Sequence, residues 1–209
     1  MRALNLFLKR LIDFFGSLIG AIIISPILII IALCIKLTSK GPVFFKQERL
    51  GKNGEIFKII KFRTMVVDAE KIGDGIRVKN SNDNRITKLG KFLRDTSLDE
   101  LPQLLNVIKG DMSLVGPRPP LPYHPYKYQD YAREKKVRFQ MRPGITGLSQ
   151  VTVRNSVPWD ERIIYDVKYV GKFNILLDFR IILLTAKKII KKENIYGVKV
   201  NNINQDMEK

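Results

Sequence analysis

The feature that most constrains the fold is residues 16–35, GSLIGAIIISPILIIIALCI, which carry no charge. At about 1.5 Å per residue, a helix of this length reaches roughly 30 Å, the thickness of a bilayer core. A helix of a soluble domain needs a polar face, and this segment has none. A cleaved signal peptide is shorter and ends at a small-residue site, whereas KLTSKGP follows here. The segment therefore predicts a membrane helix.

Pro26, preceded by Ser25, lies near the middle of this helix. A proline there removes one hydrogen bond and bends the helix, and the serine hydroxyl can satisfy a freed carbonyl. Basic residues, which stay cytoplasmic, flank both sides: Arg2, Lys9 and Arg10 before the segment, and Lys36, Lys40 and Lys46 after it. Both ends on one side would make a re-entrant helix broken at Ser25-Pro26. An ordinary kinked transmembrane helix explains the same residues, so both topologies stay open at this point.

The composition limits the chemistry. There are 37 basic and 20 acidic residues, and the net charge of +17 predicts an anionic partner: nucleic acid, acidic lipid or a phosphorylated small molecule. Cys34 is the only cysteine and His124 the only histidine, so an intrachain disulfide and a zinc site built on thiolates or several histidines are excluded. A membrane anchor and the lack of a recognition motif argue against nucleic acid.

The rest of the chain predicts an α+β fold, a mostly helical single catalytic domain with a small β-hairpin. Two Phe/Ile-rich runs, 42–48 and 55–63, flank GKNG and predict the hairpin. The predicted helices are 86–94, 97–110, 158–170 and 175–192. The last is amphipathic with a lysine-rich end, which suits either a membrane surface or a core helix. We expect a membrane helix over 1–38, a catalytic domain over 39–195 and a disordered tail over 196–209.

Two adjacent acids, Asp99 and Glu100, begin the helix predicted over 97–110. Ser97 and Glu100 fit a capping box, whereas Asp99 as N-cap would place Pro102 in the tolerant first turn. Either way, the helix N-terminus should keep both acids ionised. The simplest interpretation is structural: one acid caps the helix and the other is only its neighbour. The alternative is a nucleophile that attacks phosphorus beside a ligand for Mg²⁺.

Cations accompany this Asp-Glu pair. Arginine binds phosphate oxygens bidentately when it is held rigidly. The neighbouring prolines single out Arg118, in GPRPP, and Arg142, in RPGITG, both of which should lie in stiff loops. The full set is Lys61, Arg63, Arg94, Arg118, Arg142 and Arg154.

Three stretches carry a family resemblance: KFRTM (61–65), LRDTSLDELPQLLNVIKGDMSLVGPRP (93–119) and RPGITGLSQV (142–151). Over roughly residues 5–193 the chain resembles the bacterial sugar transferases, in particular the small monotopic phosphoglycosyl transferases. The resemblance implies transfer of a sugar-1-phosphate from a UDP-sugar to polyprenyl phosphate with release of UMP, an early step of glycoconjugate synthesis. It also implies the cytoplasmic face of the bacterial inner membrane, and it favours the re-entrant topology at Ser25-Pro26.

The resemblance also implies residue roles. Asp99 would be the nucleophile that forms a covalent phosphosugar, Glu100 would hold Mg²⁺, and Arg94 and Arg118 would bind phosphate. The further positions expected to bind substrate are Lys61, Arg63, Arg142, Arg154, Asn155 and Asp166. Where many members read close to QVNGRN, this chain has QVTVRN, so the donor sugar is not inferred. A phosphohydrolase that uses water, and a non-enzymatic basic module, are the alternatives. The apolar segment is also compatible with a homodimer.

Overall fold

The computed structural model describes residues 2–72, 83–153 and 156–191. The chain is mostly helical, with a small antiparallel hairpin and one long apolar N-terminal helix, as predicted. The helices are α1 (Arg2–Thr38), α2 (Lys88–Asp95), α3 (Leu104–Lys109), α4 (Arg133–Lys136), α5 (Leu148–Thr152), α6 (Trp159–Lys172) and α7 (Ile175–Lys191). The strands are β1 (Phe44–Leu50), β2 (Ile56–Phe62), β3 (Ser113–Val115) and β4 (Gly144–Thr146). Arg154, Asn155 and the predicted tail lie outside the described residues.

The predicted hairpin is confirmed, since β1 and β2 pair antiparallel with Phe45 opposite Lys61 and Arg49 opposite Phe57. Asn53 and Gly54 adopt positive φ angles of 56° and 83° in the turn, where asparagine and glycine are tolerated best. Alternation along the strands places Arg49 and Lys61 on one face. Ile59 shares that face and packs on Val107 of α3, so this face of the hairpin is turned toward the segment that carries the Asp-Glu pair.

The segment with the Asp-Glu pair departs from its prediction. A 3₁₀ turn covers Leu98–Gln103, and only then does α3 begin. Ser97 precedes this turn with a φ of 57° and makes no side-chain capping bond, so neither predicted cap, Ser97 with Glu100 or Asp99, is formed. Pro102 lies inside the 3₁₀ turn, where the tighter bonding tolerates a missing N–H. Gly110, with a φ of 102°, ends α3 where the sequence predicted.

The RPGITG segment, predicted as a loop, contains strand β4, which pairs in parallel with β3. The pairing requires glycine at two facing positions, because a Cβ atom at Gly144 would lie 2.0 Å from the Gly116 nitrogen. The core beside this small sheet includes Val115, Tyr169 and Ile181, which bring α6 and α7 against β3.

Helix α1 continues through Pro26, and the Ser25 hydroxyl donates to the Ile22 carbonyl at 2.8 Å. Within the described part of the chain, α1 alone is long and apolar enough to cross a membrane, by length and composition. Both of its ends contact the rest of the described structure. Lys9 is buried and pairs with Asp178 of α7 at 2.5 Å, so it does not serve as an exposed basic flank. At the other end, Arg63 donates to the Ser39 carbonyl at 2.9 Å.

A continuous apolar surface remains exposed on α1 and α7. The exposed fraction is 70% for Ile23 on α1 and 79% for Leu176 on α7. On the inner side of α7, Asp178 and Ile181 are buried. Helix α7 therefore packs on the core with one face and leaves an apolar face uncovered. The first face fits the predicted core helix, and the second would suit the predicted membrane surface.

Candidate active site

The Asp-Glu pair is attached to β2 through a side-chain amide. Asn106 of α3 is almost fully buried, and its Oδ1 accepts from the Ile60 amide at 3.0 Å. Its Nδ2 donates to the Lys58 carbonyl at 2.9 Å. The amide thus occupies the outer edge of β2 as a neighbouring strand would. This attachment brings Lys61 of β2 to the pair, where its Nζ lies 2.5 Å from Oε1 of Glu100.

Asp99 has an environment different from that of Glu100. Burial raises the pKa of Asp99 to about 6; the charge of Glu100 adds to this, while Lys61 and Arg94 act against it. The helix-terminus argument predicted two ionised acids, and burial outweighs that effect on the pKa of Asp99. At pH 7 a pKa of about 6 still leaves roughly nine-tenths of the carboxyl groups ionised. Asp99 is therefore a carboxylate of raised basicity among cations.

Arg94 reaches the site from the last turn of α2. Its Nε donates to the Thr64 hydroxyl at 2.8 Å, directly after β2. Helix α2 can approach that closely because residue 90 is glycine: a Cβ atom there would lie 2.0 Å from the Thr64 carbonyl oxygen. The charge of Arg94 lowers the pKa of Asp99, so the two side chains are electrostatically coupled. The structure thus brings Lys61, Arg94 and the Asp-Glu pair together.

Arg118 lies in a proline loop, residues 117–120, whose main chain is fixed at every position. Three prolines leave this loop few N–H donors, and its four consecutive carbonyls each accept a hydrogen bond from elsewhere. The donors are the Gly144 amide to Pro117 (3.0 Å), Arg138 Nη2 to Arg118 (2.6 Å), Arg49 Nη1 to Pro119 (3.2 Å) and the Leu50 amide to Pro120 (3.0 Å). This agrees with the rigid loop predicted around Arg118.

A buried ion pair lies behind the proline loop. Arg138 and Asp166 are each 1% exposed and pair at 2.6 Å, and the Ser149 hydroxyl donates to Asp166 at 2.7 Å. Burial raises the pKa of Asp166, and Arg138 and Ser149 oppose that shift. Asp166 was predicted to bind substrate. Its burial and partners give it instead a positioning role, because it orients Arg138 and through it the Arg118 carbonyl.

Two other predicted arginines are engaged at the C-terminal ends of helices. Buried Arg63 donates to the carbonyls of Ser39 and Lys40, which follow α1. Arg142 Nε donates to the Gly110 carbonyl at the end of α3, at 2.8 Å. Cations are favoured at these positions because the last carbonyls of a helix lack partners. These contacts give Arg63 and Arg142 roles in the fold, and their contacts with substrate stay a prediction.

Arg49 was not among the predicted site residues, yet it lies beside them. Its pKa is lowered to about 10, first by burial and then by the charge of Arg118, while Glu100 raises it. The hairpin pattern in the sequence could have pointed to Arg49, because the strand register that turns Lys61 toward the Asp-Glu pair turns Arg49 to the same face. Register depends on where the turn begins, and the sequence leaves that undetermined.

The bacterial sugar transferase family model matches residues 4–192, which include the Asp-Glu pair and the cations of the candidate site. The chain belongs to the bacterial sugar transferase family.

Three relatives illustrate this membership. The chain is 44% identical over 196 residues to the galactosyl transferase CpsE of Streptococcus agalactiae, covering 89% of this chain and 43% of that protein. It is 44% identical over 193 residues to a UDP-glucose:undecaprenyl-phosphate glucose-1-phosphate transferase of Klebsiella pneumoniae, covering 90% and 41%. It is also 44% identical over 196 residues to the exopolysaccharide production protein PSS of Rhizobium leguminosarum, covering 88% and 95%. The chain thus spans less than half of the first two relatives.

The Asp-Glu pair of this sugar transferase can accept a metal ion only with help from another ligand. Among the described residues, no group of three or more His, Cys, Asp and Glu side chains is arranged to hold one. Mg²⁺ is commonly held by one or two carboxylates together with substrate phosphates and water. The pair fits that pattern, with Oε1 of Glu100 already bound to Lys61. A metal at this pair would take its remaining ligands from water and a phosphorylated substrate.

Proposed function

We propose that the chain transfers a sugar-1-phosphate from a UDP-sugar to polyprenyl phosphate. Asp99 would attack the sugar-bearing phosphorus, forming an acyl-phosphate bond and breaking the bond to UMP. The phosphate oxygen of the lipid would then attack the same phosphorus and release Asp99. The name of the Klebsiella pneumoniae relative, a UDP-glucose:undecaprenyl-phosphate glucose-1-phosphate transferase, supports this class of donor and acceptor.

The observation that carries the proposal is the contrast between the two acids. Glu100 is bound by Lys61, whereas Asp99 has a raised pKa and cations around it. A carboxylate that approaches a diphosphate meets a repulsion of about 4 kcal/mol per charge pair at 4 Å in a dielectric of 20. Lys61, Arg94 and Arg118 offset that repulsion and would stabilise the charge that develops as UMP leaves.

Mg²⁺ is the proposed cofactor, held by Glu100 and the substrate phosphates, where it would neutralise phosphate charge. The protein's own residues perform the remaining tasks. Lys61 orients Glu100, Arg94 and Arg118 bind phosphate oxygens, and Asp99 provides the nucleophile. The predicted Arg154 and Asn155 keep their proposed place in substrate binding.

We also propose that the catalytic domain lies on the cytoplasmic face of the bacterial inner membrane, with α1 as a re-entrant helix. The contacts of both ends of α1 with one domain support this topology, because a helix that crosses the bilayer would separate them. The apolar face of α7 would lie in the inner leaflet, where anionic lipids attract its lysine-rich end. The homodimer stays a prediction.

The test is UMP release in detergent with Mg²⁺ and polyprenyl phosphate, across a panel of UDP-sugars. The wild type is compared with Asp99→Asn and with the matched control Asp130→Asn, which changes an exposed acid. We expect release that depends on lipid and on Asp99 and is unchanged in the control. An active Asp99→Asn protein would exclude the nucleophile, and many turnovers without lipid would establish a hydrolase instead.

A further inference from the structure

We infer that Arg49 is a phosphate-binding residue of this active site and acts beside Arg118 on the phosphate groups of the substrates. The inference rests on the proposed function and extends it, since neither the family motifs nor the names of the relatives point to this residue. It comes from the contacts and the unbalanced charge of Arg49.

The side chain of Arg49 is held at two points and leaves donors unused. Its Nη1 donates to the Pro119 carbonyl at 3.2 Å, and its Nη2 donates to Oε1 of Gln47 at 2.6 Å. Its Nε is buried and has no hydrogen-bond partner. Guanidinium carries five N–H donors, so several remain for a ligand. A cation fixed in this way is preorganised for a bidentate phosphate contact.

Arg138 beneath the same loop provides a contrast. Its charge is balanced by Asp166 at 2.6 Å. Arg49 has no such partner: within the described ranges no carboxylate forms an ion pair with it, and Glu70 reaches it only through Gln47. Glu100, the nearest acid of the pair, is bound by Lys61. A partly buried arginine without a balancing carboxylate is costly for the folded protein, and a bound anion removes that cost.

Neighbouring charges indicate which anion fits. Arg118 is part of the proline loop, and Arg49 donates to the Pro119 carbonyl of the same loop. The two guanidinium charges are close enough that Arg118 lowers the pKa of Arg49. Two like charges so placed attract a group with two or more anionic oxygens, which a phosphate supplies. The group is either the diphosphate of the nucleotide sugar or the phosphate of the lipid. Since both must reach the phosphorus at Asp99, the experiment has to separate them.

The two half-reactions separate the two sources. In the donor arm, labelled UDP-sugar is added without lipid, and labelling of the protein is followed against donor concentration. In the acceptor arm, labelled protein is chased with polyprenyl phosphate. We expect Arg49→Gln to raise the half-saturating concentration in one arm by about 10- to 100-fold, the usual value of a charge-assisted contact. Arg49→Lys should raise the half-saturating concentration by less, because lysine keeps the positive charge. The matched control is Lys46→Gln, an exposed cation on the opposite face of β1.

A double-variant comparison distinguishes binding from support of the loop. If Arg49 only positions Arg118, then Arg49→Gln adds nothing once Arg118→Gln is present. If Arg49 binds phosphate itself, it still weakens binding in that background by about tenfold. Unchanged half-saturation in both arms, or an effect that vanishes in the Arg118→Gln background, would overturn the inference. Matching unfolding midpoints of Arg49→Lys and wild type establish that the fold is intact.

A binding measurement keeps this inference separate from the proposed chemistry. Titration of Asp99→Asn protein with UDP requires no turnover. If UDP binds and Arg49→Gln weakens that binding, the donor phosphate is the ligand even in a protein that fails to form the phosphosugar. If UDP binding is insensitive to Arg49 and the acceptor arm is also unchanged, Arg49 is not a phosphate ligand, whatever the outcome for Asp99.

Discussion

The two acids of the Asp-Glu pair differ because different residues surround them. Adjacent carboxylates have the same intrinsic chemistry, and only the neighbours distinguish them. Lys61 binds Glu100 at 2.5 Å, while burial dominates at Asp99 and raises its pKa to about 6. A carboxylate of higher pKa is more basic and therefore the stronger nucleophile of the two. Asp99 is thus the better candidate for attack on phosphorus.

This assignment predicts the acid limb of the pH profile. Asp99 must be ionised to attack, so kcat/KM should rise with pH through about 6 and level off above pH 7. At pH 5 we expect about one-tenth of the plateau value, since roughly one carboxyl group in ten is then ionised. The measurement is initial UMP release at fixed donor between pH 5 and 8. A flat profile over that range would contradict the raised pKa.

Helices, strands and loops determine how the cations are held. The sequence predicted some of these elements but not the partners of the side chains on them. The hairpin and α6 could be predicted because alternation, the GKNG turn and helical periodicity are local signals. Asp166, Arg63 and Arg142 were assigned to substrate because residue type and neighbouring prolines do not reveal which partners a side chain will meet. Those partners lie at Arg138, Ser39 and Gly110, far away in sequence or on other elements. Arg49 was missed because the register of the hairpin, which places it on the same face as Lys61, could not be predicted from the sequence.

The ion pair behind the proline loop gives a prediction for α6. Asp166→Asn leaves Arg138 buried without its counter-charge, and losing one partner of a buried pair typically costs about 3–5 kcal/mol. We expect a lower unfolding midpoint and a kcat/KM reduced about tenfold or more, because the Arg118 carbonyl loses its oriented donor. The control is Asp160→Asn on the same helix, which breaks an exposed pair with Lys135 of similar length. Equal effects of the two variants would contradict the positioning role.

The approach of α2 to the end of β2 gives a second prediction at this scale. Gly90→Ala would place a methyl group 2.0 Å from the Thr64 carbonyl oxygen, so α2 must move and Arg94 with it. Overpacking of this kind costs about 1–3 kcal/mol. We expect a lower unfolding midpoint together with reduced turnover. Gly171→Ala is the control, since nothing lies within 4 Å of its new methyl group in α6, and it should be neutral or slightly stabilising.

The whole molecule is organised around the attachment of α1. A buried polar cluster joins it to three other elements. Lys9 pairs with Asp178, Asp13 accepts from the Ser113 hydroxyl at 2.7 Å, and the Tyr169 hydroxyl donates to Asp178 at 2.7 Å. The long apolar helix α1 is therefore packed into the rest of the structure through buried polar contacts.

This cluster predicts how single and paired changes differ. Lys9→Met leaves Asp178 buried without a cation and should lower the unfolding midpoint in detergent. Lys9→Met combined with Asp178→Leu also removes the unpaired charge of Asp178, and we expect it to recover only part of that loss because Asp13, 3.7 Å from Lys9, stays buried. The measurement is thermal unfolding of the three proteins in the same detergent. A double variant less stable than Lys9→Met would contradict the importance of the unpaired charge.

The pairing of Lys9 with Asp178 also constrains how the protein is made. The two residues lie 169 positions apart, so Lys9 leaves the ribosome well before its partner does. While the intervening residues are synthesised, α1 is present without the acid that binds it. Its docking is thus completed only after α7 has been synthesised.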